Sequence, residues 1–110
     1  MPPATLRPAV FHILLALANG AKHGLGIAEQ ATESTSGAVV LGPGTLYRSL
    51  KEMVRDGLIE EAPAPSEAED PRRRFYRLTD QGFDVLRLEA ERMAQIVEIA
   101  RDSRVIPESS

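Results

Sequence analysis

At 110 residues the chain is long enough for one domain with a modest core and short for two. Its 43% hydrophobic and 26% charged residues give a globular rather than a disordered balance, and a net charge of -3 argues weakly against nucleic acid. The absence of cysteine excludes disulfides and thiolate metal sites and fits a reducing cytoplasm.

Residues 1–7 read as a loose arm. Pro8 suits the first turn of a helix, where its missing N–H costs nothing. From Val10 to Ala18 apolar residues point in nearly every direction, so this first helix is buried on more than one side. Its run "AVFHILLALA" is too short to span a bilayer, and with no basic flank or small-residue cleavage site it is not read as a signal peptide. Asn19-Gly20 supplies the stop. A second helix is expected over about residues 25–34, with Ile27, Ala28 and Ala31 inward. The β-branched run "AVVL" (38–41) then reads as a stub of strand.

Gly42-Pro43 opens a third helix, and Gly57 closes it. Leu46, Leu50, Met53 and Val54 give its buried stripe by their 3- and 4-residue spacing. Its outer face collects Thr45, Tyr47, Arg48, Ser49, Lys51 and Arg55. "LIEEA" and "RRFYRL" read as an antiparallel hairpin, joined by the acidic, proline-rich loop "PAPSEAED". That loop is expected to be a flexible solvated tip. Arg72 and Arg73 fall at the base of the hairpin, while Arg77 is placed to pair with Glu60 or Glu61 across it. Thr79 is a good N-cap for a last helix over about residues 80–102. On that helix Phe83, Leu86, Ala90, Met93, Val97 and Ala100 follow a heptad seam. At about 33 Å the helix is longer than so small a body needs. Dimerisation follows, with Phe11 and Leu14 of the first helix as the partner's counterpart. The tail from Arg104 is expected to fray.

Three helices and a trailing hairpin make a winged helix-turn-helix, mainly α with a small β-hairpin, plus a C-terminal dimerisation helix. The third helix is the element such a fold places in a DNA major groove. Charge on one face matters more here than the sum, and the basic residues gather on that helix and at residues 72–77. Thr45 and Ser49 can serve a phosphate near the helix N-terminus, Arg48 a guanine edge, and Tyr47 a phosphate through its hydroxyl. Lys51, Arg72 and Arg73 suit phosphates. The alternative is an ordinary solvated helix face, because Lys51, Glu52, Arg55 and Asp56 mix signs. His12 and His23 lack a second ligand at metal spacing, so no metal or cofactor is expected. No catalytic constellation appears, so the chain is read as a non-enzyme.

The segments "HGLGIAEQ", "LGPGTLYRSLKEMVRDGLIEE" and "RRRFYRLTDQGFDVL" together resemble the PadR family of transcriptional regulators, over about residues 8–100. The resemblance is to the compact subgroup with a single C-terminal helix. It implies a homodimeric winged-helix repressor on a near-palindromic double-stranded DNA operator, with a small-molecule effector as a further partner. Residues 1–78 would form the DNA-binding part and residues 79–110 the dimerisation helix and tail. Gly42 stands where the family usually has serine or threonine, Arg48 where proline is frequent, and Leu25 where an aromatic is common. The chain lacks the tryptophan that compact members use to stack flat ligands. Two rival readings stay open: a protein-interaction module without DNA, and an apolar-ligand-binding dimer without DNA specificity.

Overall fold

The computed structural model describes residues 6–107. In chain order it contains α1 (Pro8–Ala16), β1 (Lys22–His23), α2 (Gly24–Ser34), α3 (Pro43–Arg55), β2 (Ile59–Ala62), β3 (Phe75–Leu78) and α4 (Asp80–Asp102). The arrangement is a winged helix-turn-helix followed by one long helix. Of the expected loose arm only residues 6 and 7 are described, and Arg7 there holds Glu52 at 3.1 Å. Of the expected fraying tail, residues 108–110 lie outside the described residues. Residues 104 and 105 instead close α4 with hydrogen bonds from Arg104 N to Arg101 O and from Val105 N to Ala100 O.

The core is aliphatic, centred on Ile13 and Leu14 of α1, Ile27 of α2, Leu50 and Met53 of α3, and Ile59 of β2. Because α1 is apolar in every direction, α2, α3 and α4 can all pack around it. This corrects one expectation. Phe11 and Leu14 are 7% and 0% exposed within a single chain, so neither is free to meet a second copy; Leu15 is a large apolar side chain of α1 that is 40% exposed.

A second correction concerns the sheet. "AVVL" forms no strand and pairs with none of the three; Leu41 enters the core while Val40 stands 73% exposed. The third strand is Lys22–His23, and the order is β1-β3-β2. Lys22 opposes Tyr76 and His23 opposes Phe75, with the His23 and Phe75 rings edge to face at 5.4 Å. Both strands of the hairpin run antiparallel with Ile59 opposite Leu78 and Glu60 opposite Arg77.

Helix α3 ends where Gly57 takes φ +79°, a left-handed value that suits glycine. Leu58 N–H then returns to Met53 O at 2.9 Å, which turns the chain directly into β2. At the start of α4, Thr79 Oγ1 accepts from Gly82 N–H at 3.0 Å and donates to Gly57 O at 2.6 Å. One hydroxyl therefore fastens the end of α3 to the start of α4.

Candidate nucleic-acid interface

Helix α3 begins on Gly42 and Pro43 with no side-chain cap, so the amides of Gly44 and Thr45 precede its first intrahelical bond, Leu46 N–H to Gly42 O. Nothing stands within 4 Å of a Cβ at Gly42 or Gly44. A bare, open helix N-terminus of this kind suits an anion. Thr45, Tyr47, Arg48, Lys51 and Arg55 are all exposed on the outward side.

Two residues placed by spacing move. Ser49 is only 4% exposed, since it shares the inward side with Leu46, Leu50 and Met53; it cannot reach a duplex. Val54, assigned to the buried stripe, is 40% exposed.

The mixed signs on α3 resolve once partners are known. Glu52 is held by Arg7, and Asp56 lies 3.1 Å from Arg55, whose guanidinium is held more firmly protonated by that hydrogen bond and charge. Among the described residues neither Arg48 nor Lys51 forms an ion pair. The outer face therefore keeps two cations without an ion-pair partner among the described residues, at the middle of the helix and one turn further on.

Tyr47 sits between two grooves. Its ring lies against Gly24 at the start of α2, where a Cβ would stand 3.1 Å from the ring and the hydroxyl. One groove is bounded by Tyr47, Gly24, Arg73 and Arg74, the other by Tyr47, Lys51, Val54 and Arg74. Sequence reasoning assigns Gly24 and Arg74 no DNA-facing role. For Gly24 the GxG before a helix was the available signal; for Arg74 it was the arginine run itself.

Arg72 and Arg73 lie in the turn that leads into β3, at the loop end of the hairpin rather than its base. The backbone turns between Asp70 O and Arg73 N–H, while the Asp70 carboxylate accepts from Arg72 N–H at 3.1 Å. The same carboxylate lies 3.2 Å from Arg72 Nε and 3.7 Å from Arg73 Nε. Arg72 remains 91% exposed. The acidic loop is thus built from turns, with a second between Pro65 O and Ala68 N–H. Arg77 pairs with Glu60 at 2.8 Å as expected, and Arg74 with Glu61 at 3.1 Å.

The histidines are structural. His23 caps α2 by accepting Gly26 N–H at Nδ1, and half-buried His12 lies edge-on to Phe11. Among the described residues no group of three His, Cys, Asp or Glu could hold a metal, and no helix is long and apolar enough to cross a membrane.

The seam on α4 divides. Leu86, 5% exposed, belongs to the core beside α1 and is lost to any partner. Glu89 is buried next to it, gripped by Arg92 at 3.0 and 2.8 Å. The hydrogen bonds from Arg92 hold its carboxyl below the usual carboxylate range against the cost of burial. Beyond Glu89 the same side of the helix is uncovered: Ala90 is exposed, Met93 is 37%, Ile96 51% and Val97 39% exposed, and Ala100 is half-buried. Phe83, 51% exposed, flanks it.

A family model described as "Transcriptional regulator PadR-like family" matches residues 13–88. A PadR family transcription regulator from Clostridium difficile is 26% identical, with 87% of this chain and 97% of that chain covered and a TM-score of 0.72. A PadR-like transcriptional regulator from Bacillus cereus shares the fold at 20% identity, covering 84% and 87%, with a TM-score of 0.70. Bacillus subtilis PadR in complex with operator DNA shares it at 23% identity and a TM-score of 0.61, over 74% of this chain and 45% of that one. No curated protein sequence matches.

Proposed function

This chain belongs to the PadR-like family of transcriptional regulators, and from that premise we propose that it acts as a homodimeric DNA-binding repressor on a near-palindromic operator. The observation that carries the reading is the pair Arg48 and Lys51, free of ion pairs among the described residues on the exposed side of α3, while Glu52 and Asp56 are engaged by Arg7 and Arg55. Arg48 reads a guanine edge in the major groove, and Lys51 and Tyr47 meet phosphates beside it. Thr45 and the open N-terminus of α3 receive a further phosphate. Arg72 and Arg73 leave Asp70 to reach the backbone flanking the groove. The operator complex of Bacillus subtilis PadR, which has the same fold, supports this use of it.

Residues 1–78 carry these contacts, and residues 79–110 join two copies. Within α4 the joining surface is Ala90, Met93, Val97 and Ala100, with Ile96 beside them and Phe83 at the edge. Leu86 anchors the helix to its own head, so a shift at the joint moves the head as a rigid piece. Two such heads reach successive major grooves about 34 Å apart. An effector that changes their spacing relieves repression by favouring one of two arrangements. Its work would then be in the cytoplasm, with which a cysteine-free chain is compatible.

The test is a mobility-shift titration with the promoter of the protein's own gene against a scrambled duplex of equal length. A shift confined to the promoter at the lower concentrations supports the reading; equal retention of both duplexes, or none, favours a protein-interaction module.

A further inference from the structure

Between the start of α2 and the wing loop lies an open hollow of about 510 Å³, of whose lining the DNA reading uses only Arg73 and its partner Asp70. Its apolar lining comes from Leu25, Gly26, Ala68 and Phe75. The charged groups around it are unequally committed. Lys22 is turned away, its Nζ donating to Ala16 O at 2.7 Å at the end of α1. Arg73 is held by Asp70 at 3.7 Å and lies 3.4 Å from His23 Nδ1. The remaining members, Glu29 from α2 and Glu69 from the loop, are exposed and have no ion-pair partner among the described residues.

A concave apolar surface edged by two uncompensated carboxylates fits one ligand chemistry well. We propose that this hollow binds a small organic cation, an ammonium carrying an apolar or aromatic group, with the apolar part against Leu25 and Phe75 and the charge between Glu29 and Glu69. Each part of the ligand meets its complement: the apolar group leaves water, and the ammonium keeps its solvation while gaining two nearby anions. An anion is disfavoured by the same carboxylates, and a neutral apolar molecule gains only the first contribution. The inference goes beyond the DNA reading and does not depend on it.

The probe is benzyltrimethylammonium, with benzyl alcohol and benzenesulfonate as neutral and anionic controls, titrated into the full chain labelled with nitrogen-15. Saturable amide shifts are expected at Gly26, Ala68 and Phe75 with the cation only. The Glu29→Gln, Glu69→Gln double variant alters two exposed side chains, and its dispersed amide spectrum reports that it is folded. It should bind the cation about tenfold more weakly. The proposal is overturned by the absence of a saturable shift, by equal binding of benzyl alcohol, by unchanged affinity in the double variant, or by shifts centred on Met93 and Val97 of α4.

Discussion

The α-carbon of Gly82 faces the carbonyl of Leu58 with no space between them for a side chain. A Cβ at Gly82 would overlap that oxygen and stand 2.9 Å from the carbonyl carbon. Backbone meets backbone here, so no flexible group can yield. Gly82→Ala must push the first turn of α4 away from the α3–β2 junction. We predict a loss of about 3 kcal/mol in chemical denaturation, at the upper end for overpacking. A Gly44→Ala control, where a Cβ meets nothing, should leave stability near that of the parent chain.

Thr79 works at the same junction through its hydroxyl, which bonds Gly82 N–H and Gly57 O. Thr79→Ala removes the cap and leaves a half-buried carbonyl without its donor. The expected cost is about 2 kcal/mol. Thr79→Ser keeps both bonds and should recover most of that loss when the two variants are melted side by side.

Glu89 gives stability a pH signature. Its carboxyl is held below the usual range, chiefly by hydrogen bonds from Arg92, so the folded state favours the ionised form. That contribution is complete above the unfolded value of about 4.3 and fades as pH falls toward the lower folded value. Thermal melts from pH 6 down to pH 3 should show the parent chain losing its advantage over Glu89→Gln. A constant gap across that range would refute the assignment.

On DNA, Arg48→Ala should flatten the preference between operator and base-substituted operators, by about 1–3 kcal/mol at the position it reads. Arg72→Ala should weaken all sequences alike and lower the salt slope by about one. Competition titrations at several salt concentrations distinguish these outcomes. Asp70→Asn frees both wing arginines and is expected to act oppositely to Arg72→Ala, tightening binding to every duplex.

How far the sequence announces this molecule depends on which residues carry the information. Helix α3 and its two ends were legible because Pro43 and Gly57 act locally, through a missing N–H and a left-handed φ. The Thr79 cap was legible for the same reason, and strand alternation put Arg77 across from Glu60 or Glu61, of which it meets Glu60. Strand β1 was not: two residues show no alternation, and Lys22 and His23 become a strand only because β3 offers an edge. "AVVL" failed in the opposite way, with β propensity but no partner. Spacing identified the apolar side of α4 but not what covers it, so Leu86, packed on its own head, was grouped with Met93 and Val97. Ser49 was misplaced because its hydroxyl suggested solvent, whereas its position on the helix wheel put it inside.

In the proposed complex two basic heads, joined through the outer half of α4, grip adjacent turns of one duplex. Fluorescence-anisotropy titrations of the own-gene promoter test it most directly, comparing the parent chain with Val97→Asp and repeating each across a salt series. Promoter-specific binding is expected, with a log K against log salt slope of about -5 for roughly six neutralised phosphates, and the variant should sediment as a monomer and lose the promoter preference. Equal, weak binding of promoter and scrambled DNA by the parent chain, or a monomeric variant that keeps full affinity, would contradict it.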